Sequence, residues 1–326
     1  MLASLNAYRA SCGGTAMPAT AGNSALATAA TKHAGWQARY DVLFPAGAPS
    51  LSHNEGSSAQ NNNASNAFWV ADAFDDRIRA ANGGSNLITS GFYYEIIASQ
   101  SGSAAVDQLW DSVYHRIAMD RPPATLAGYG DMALAALLIP TGGLPATSPW
   151  GNPDGNGYGT IEYAAPSLAW TTASWWPATG ASGVPRSFVH TSESPDPLPA
   201  VGASTVGVPL HAIFPTALPF TGLTVTLSGP GGTVACYAVV PGTGATTPTG
   251  SPPSPAVTTA PTAGSGQVAQ GDIIMDVQGD LVTGEVFIMP KAALASSSTY
   301  TWSVQATDSS ATTYSVPASS FTTGTH

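Results

Sequence analysis

The chain has 326 residues, more than one domain usually needs, and its 43% hydrophobic content is enough for real cores, so two domains are expected. Only 9% of residues are charged, against roughly 25% in an average soluble protein, and the formal net charge is −10. So few Lys and Arg side chains argue against nucleic acid or an anionic membrane surface as partner, and no run approaches the roughly 20 apolar residues of a membrane span.

Lys32 and Lys291 are the only lysines, and hydroxyls and amides must wet the surface instead. That composition leans towards an extracellular setting, although no secretion signal is visible after Met1. Cys12 and Cys236 lie far apart in the chain and are expected as two separate thiols.

The first half reads as helices separated by glycine-rich loops. Residues 2–11 carry Leu2, Leu5 and Tyr8 or Arg9 at helical spacing. Residues 24–40 carry Leu26, Ala29, Ala30, His33 and Trp36 or Gln37 in the same way. The stretch 51–66, LSHNEGSSAQNNNASN, is too polar for a packed element. Helix is expected again over 67–80 and over 103–119, with Ser103 as its N-cap. After Gly128-Tyr129-Gly130 the segments MALAALLI, IEYAA and SLAWTT read as short strands among turns.

Residues 190–202, HTSESPDPLPAVG, contain three prolines and no periodicity, and read as a linker. Beyond it, VPLHAIF, LTVTLS, TVACYAVV, DIIMDV, EVFIM, STYTWSVQAT and TYSVPASSFTT predict seven strands, the count of a small sandwich. Between them, the Pro-, Thr- and Gly-rich stretch 241–266 reads as a loop.

Familiar enzyme motifs are missing: there is no G-x-S-x-G, H-E-x-x-H, Rossmann glycine motif or Walker loop. The first half instead holds His33, His53 and His115 with Glu55, Glu95 and Asp111. On a continuous helix Asp107, Asp111 and His115 share one face, and a carboxylate one turn away would fix the imidazole tautomer. The bland alternative is a boundary histidine on a core helix. His53 sits beside Glu55 in a loop, where packing gives no reason for it. Glu95 interrupts the apolar run GFYYEIIAS, where a carboxylate is unfavourable unless it is paired or faces a polar pocket.

LNAYRASCG, SALATAATKHAGWQA, LSHNEG, YYEIIA and AVDQLWDSVYHRIAMDRPPATLAGYG, in that order, resemble the CAP superfamily (cysteine-rich secretory, antigen 5 and pathogenesis-related-1 proteins) in its bacterial SCP-like form. The resemblance covers about residues 1–135 and extends to about 190. It implies an α+β fold in which a three-layer α-β-α sandwich with a central cleft (1–190) precedes a 191–202 linker. A smaller all-β sandwich (203–326) resembling Ig-like or fibronectin-type domains would follow, with Leu294 and Tyr300 as its signature pair.

The resemblance also implies that His53, Glu95 and His115 line the cleft, where some members hold a divalent metal. Val113 stands at the family's second acidic position, and the glycine and asparagine expected around Glu95 are absent. Asp111 or Glu55 would then substitute, and Arg116 would support the cluster. The implied function is a secreted bacterial protein binding a small molecule, lipid, glycan or peptide, or a surface polymer, with the β-domain as spacer or adhesive module. The alternative is an extracellular hydrolase, either with zinc on His53, His115 and Glu95 or with a metal-free Glu/His acid–base pair. A structural surface subunit is the third reading.

Overall fold

The computed structural model describes residues 2–12, 24–43, 54–56, 68–88, 92–98, 102–121, 126–132, 158–165, 171–193, 195–242, 260–276 and 279–325. The chain divides into two compact units. The first comprises Met1–Asn6, Met17–Trp110 and Ala124–Ser167; the second comprises Ala7–Ala16, Asp111–Pro123 and Leu168–His326.

The expected α+β arrangement, a three-layer α-β-α CAP sandwich followed by a smaller all-β domain, is not the one adopted. Among the described residues strand outweighs helix, 38% to 22%, and the sheets do not form that sandwich. Of the five α-helices among the described residues, four have ten residues or fewer: α1 (Leu2–Ser11), α3 (Phe74–Ala81), α4 (Gly102–Trp110) and α5 (Tyr114–Asp120). Only α2 (Ser24–Leu43) is long. Two features shorten the expected helices. The one predicted over 67–80 begins only at Phe74, and the one over 103–119 breaks at Asp111-Ser112-Val113. Thr- and Val-rich segments favour strand over helix elsewhere.

In the first unit, β1 (Phe92–Ala98), β3 (Tyr158–Ala165) and β2 (Leu126–Met132) form an antiparallel sheet in the order β1-β3-β2. Helix α2 packs on β2 and β3. Its buried face is built from small residues, Ala25, Ala29, Ala30, Ala34 and Ala38, with Leu26. Opposite them stand Gly128 and Gly130. A Cβ at Gly128 would overlap the backbone of residues 26–27, and one at Gly130 that of residues 30–31. Glu95 pairs with Glu162, which pairs with Gly128, so Glu95 lies in the row that faces α2.

The second unit holds thirteen strands among its described residues, β4 (Ser174–Trp176) to β16 (Thr313–Thr323). All seven segments read as strands from the sequence are present, as β8 (Leu210–Ile213), β9 (Phe220–Gly229), β11 (Cys236–Pro241), β13 (Ile273–Asp276), β14 (Glu285–Pro290), β15 (Thr299–Asp308) and β16. One sheet runs β10-β9-β15-β16-β5, where β5 is Ala181–Val184 and β10 is Gly232–Thr233, and β12 (Thr262–Ala263) pairs with β9. The other runs β13-β11-β14-β8-β4. Trp302 of β15 donates its indole N–H to the Pro177 carbonyl just beyond β4, and Phe214 after β8 packs on Phe220 and Tyr314, which ties the two sheets together.

Burial shows how each sheet is used. Strand β15 alternates between buried Tyr300, Trp302, Val304 and Ala306 and more exposed Thr, Ser and Gln. Strands β8 and β14 are buried throughout. Phe287 and Met289 of β14, with Val239 of β11, pack with Val113 and Ile117 at α5 and with Phe188, Leu198 and Val206. Residues 190–202, expected as a linker, therefore contribute a 3-10 turn at His190–Ser192 and bury His190, Glu193 and Leu198. Cys12 and Cys236 are buried and unbridged, and burial pushes the Cys236 thiol up to about 12. Residues 243–259 of the low-complexity stretch lie outside the described residues.

Gly128→Ala is expected to destabilise the first unit by at least about 2 kcal/mol, because backbone rather than a movable side chain occupies the space. Chemical denaturation of wild type and variant measures it. A loss of only a few tenths would show that α2 does not lie against β2 as described.

Candidate functional site

Two groups of polar side chains stand out, one in each unit. In the first unit, the small-residue face of α2 continues to His33, which is fully buried. Its Nδ1 lies 2.8 Å from Glu55 Oε1 and its Nε2 3.6 Å from Glu95 Oε1. Arg77 of α3 reaches the same carboxylates, at 2.5 Å from Glu95 Oε2 and 3.7 Å from Glu55 Oε1. Trp36, one helical turn on from His33, stacks on the imidazole with ring centroids 5.7 Å apart. Asp72 organises the approach: its carbonyl accepts the N–H of Glu55 and a guanidinium N–H of Arg77, and its carboxylate accepts the N–H of Gly56.

Glu95 thus has the pairing that its apolar setting required. Two carboxylates meet one guanidinium and one imidazole, all with no solvent exposure. Burial raises the Glu55 carboxyl above the usual carboxylate range. The His33 hydrogen bond and the charges of His33 and Arg77 pull it down, while Glu95 adds to the rise. Arg77 carries no site signal in the sequence, and His33 carries only a weak one. The available signal was a histidine on an otherwise alanine-lined helix face.

His53 lies outside the described residues. Among the described residues, no group of three or more His, Cys, Asp or Glu is placed to hold a metal ion. Around Glu55 and Glu95 the positive charge is supplied by the Arg77 guanidinium.

His115 belongs to the second unit. The break before α5 removes the i, i+4 relation to Asp111 that the sequence suggested, and Asp111 is not its hydrogen-bonding carboxylate. That partner is Glu193, whose Oε1 lies 3.1 Å from His115 Nδ1. The Glu193 side chain is 1% exposed, whereas that of His115 is 24% exposed. Glu193 also accepts the backbone N–H groups of Val113 and Tyr114, at 3.0 and 2.7 Å, with that of His115 at 3.4 Å. It therefore caps α5, whose own N-cap residue, Val113, has no side chain able to do so. Ser112 Oγ lies 3.1 Å from the same Nδ1, and Nε2 makes no hydrogen bond among the described residues.

The rest of α5 is held by buried charge. Arg116 stacks on Trp176, 4.1 Å from the ring centre, and donates to the Pro209 carbonyl. Burial lowers its pKa to about 10 against the pull of Asp111 and Asp120, and it packs the helix rather than facing solvent. Asp120 Oδ2 meets His211 Nδ1 at 2.9 Å, and His211 stacks on Phe287. Arg121 makes a two-pronged pair with Glu285 at 2.6 and 2.7 Å and donates to the Asp280 carbonyl. Arg9 donates to the carbonyls of Met119 and Arg121. No family model matches the sequence, and a search of curated proteins finds no match either.

Two carboxyls predict opposite pH dependences. Burial would raise Asp120, but the His211 hydrogen bond and the charges of His211, Arg116 and Arg9 outweigh it and hold it low. Its contribution to stability is present above the ordinary carboxylate value and is lost on acidification. Glu55 is raised, so its contribution is present at low pH and is lost as pH rises through its folded value. Relative to wild type, Asp120→Asn should destabilise more at about pH 7 than at about pH 3, and Glu55→Gln should gain with rising pH. Denaturation midpoints across that range check both signs; parallel curves would remove the assignment.

Proposed function

We propose that the protein is an extracellular hydrolase of the metal-free acid–base kind, with His115 as the group that exchanges the proton. One observation carries this: a buried carboxylate holds Nδ1 of a histidine whose other nitrogen makes no hydrogen bond among the described residues and which is partly exposed. In that arrangement the carboxylate orients the ring and supports the imidazolium that forms when Nε2 takes a proton. The extracellular setting is supported by the lysine-poor, hydroxyl-rich composition and by the resemblance of residues 1–135 to CAP proteins in segment order.

A binding role for the β-rich unit is favoured by a separate observation. The outer face of the six-stranded sheet carries hydroxyl pairs across neighbouring strands, including Thr226–Ser303 at 2.6 Å and Thr301–Ser320 at 2.9 Å. Its outward positions on β15 are Thr299, Thr301, Ser303, Gln305 and Thr307, with no charge among them. An uncharged extracellular polymer meets no desolvated charge there.

The test is turnover of a panel of chromogenic esters, peptides and glycosides by wild type and His115→Ala, with co-sedimentation on insoluble polysaccharide run alongside. A general base contributes about 10²–10⁴-fold, so the variant should lose at least about 100-fold on the substrate turned over while keeping its fold. Equal rates for the two proteins would sink the hydrolase reading. Sedimentation with polymer but no turnover would leave the binding role in its place.

A further inference from the structure

The contacts around His115 also say which nitrogen does the work. Backbone N–H groups can only donate. Val113 N–H points to Glu193 Oε2 and Tyr114 N–H to Glu193 Oε1, so both oxygens already act as acceptors. The hydrogen between Oε1 and His115 Nδ1 then belongs to the imidazole. In the neutral ring that is its one hydrogen, and the lone pair lies on Nε2.

Ser112 matters for the same reason. A serine nucleophile must bond the nitrogen that takes its proton while the acid holds the other one. Here the hydroxyl and the carboxylate approach the same nitrogen, each at 3.1 Å from Nδ1. Ser112, His115 and Glu193 hold the residue types of a nucleophilic triad in an arrangement that cannot run as one.

We infer that Glu193 is a positioning residue that locks His115 as the Nδ1–H tautomer, so that Nε2 acts on water directly and no acyl-Ser112 intermediate forms. This rests on the hydrolase reading for its chemistry but not for its tautomer. In the step, Nε2 takes a proton from water as the water oxygen bonds to the acyl carbon of an ester. The carbon–oxygen bond to the leaving alcohol then breaks, and that oxygen receives the proton back from Nε2. Acid and alcohol leave, and the imidazole returns to its starting form. The carboxylate stays ionised throughout.

The assignment is read from long-range proton–nitrogen correlation spectra of the full chain labelled with ¹⁵N-histidine, at a pH where the ring is neutral. The His115 signals are identified by their loss in His115→Gln. The expected wild-type spectrum shows Nδ1 protonated and Nε2 bare. Glu193→Ala should shift the ring to the Nε2–H form that unconstrained imidazole prefers. Because that variant also uncaps α5 and can lose its fold, the wild-type spectrum decides on its own. An Nε2–H ring in wild type overturns the inference. So does a covalent Ser112 adduct by mass spectrometry after treatment with a fluorophosphonate probe, which the proposal expects to be absent. An Nδ1–H ring without turnover of any substrate would remove the hydrolase reading and leave the role of Glu193 intact.

Discussion

Burial of ionised groups in a chain that has few of them is the constraint on which the rest depends. The sequence holds seven arginines, and four of them, Arg9, Arg77, Arg116 and Arg121, are among the largest fully buried side chains. An isolated charge inside a protein is strongly unfavourable, so each arginine must find a specific set of acceptors or aromatic faces. Hydrophobic burial is tolerant of position, but a two-pronged guanidinium pair is not. The arginines therefore act less as sources of stability than as selectors of one arrangement among many compact ones.

This is clearest at α5, a helix of seven residues that would not persist alone in water. Glu193 supplies acceptors for its first amides, Arg116 lies over Trp176, Asp120 meets His211 and Arg121 is clamped by Glu285. Each of those partners comes from the five-stranded sheet or the segments packed beside it. The helix is short enough to need them all, and His115 sits in its first turn. The carboxylate that starts the helix is also the one that holds the histidine, so the seat of the helix and the setting of His115 cannot be separated.

The β-structure was the most legible part of the chain. Alternation within TYTWSVQAT and the unbroken apolar runs of EVFIM and TVACYAVV mark strands by purely local patterns, and those strands are where they were expected. The break in the helix over 103–119 was not legible, because Glu193, which takes the freed amides, lies 78 to 80 residues away. Proline content makes residues 190–202 look like a linker, yet the segment buries Glu193 and Leu198. Glu95 could be flagged as needing a partner, since a carboxylate among Tyr94, Ile96 and Ile97 demands one. Which partners it would find depends on a glycine row on β2 letting α2 approach the sheet. Segment order suggested a layered α-β-α fold, but motif order does not fix how far each helix extends.

A double-mutant cycle on Arg121 and Glu285 tests most directly whether buried charge fixes the place of α5. Arg121→Met, Glu285→Gln and the double variant are compared with wild type by chemical denaturation at neutral pH. Each single change should destabilise by about 3–5 kcal/mol, because it strands the other charge in the interior, and the double change should fall short of the sum by at least about 2 kcal/mol. Strict additivity, or single losses under about 1 kcal/mol, would contradict the account, since the pair would then be bystanders to a fold held by apolar packing alone.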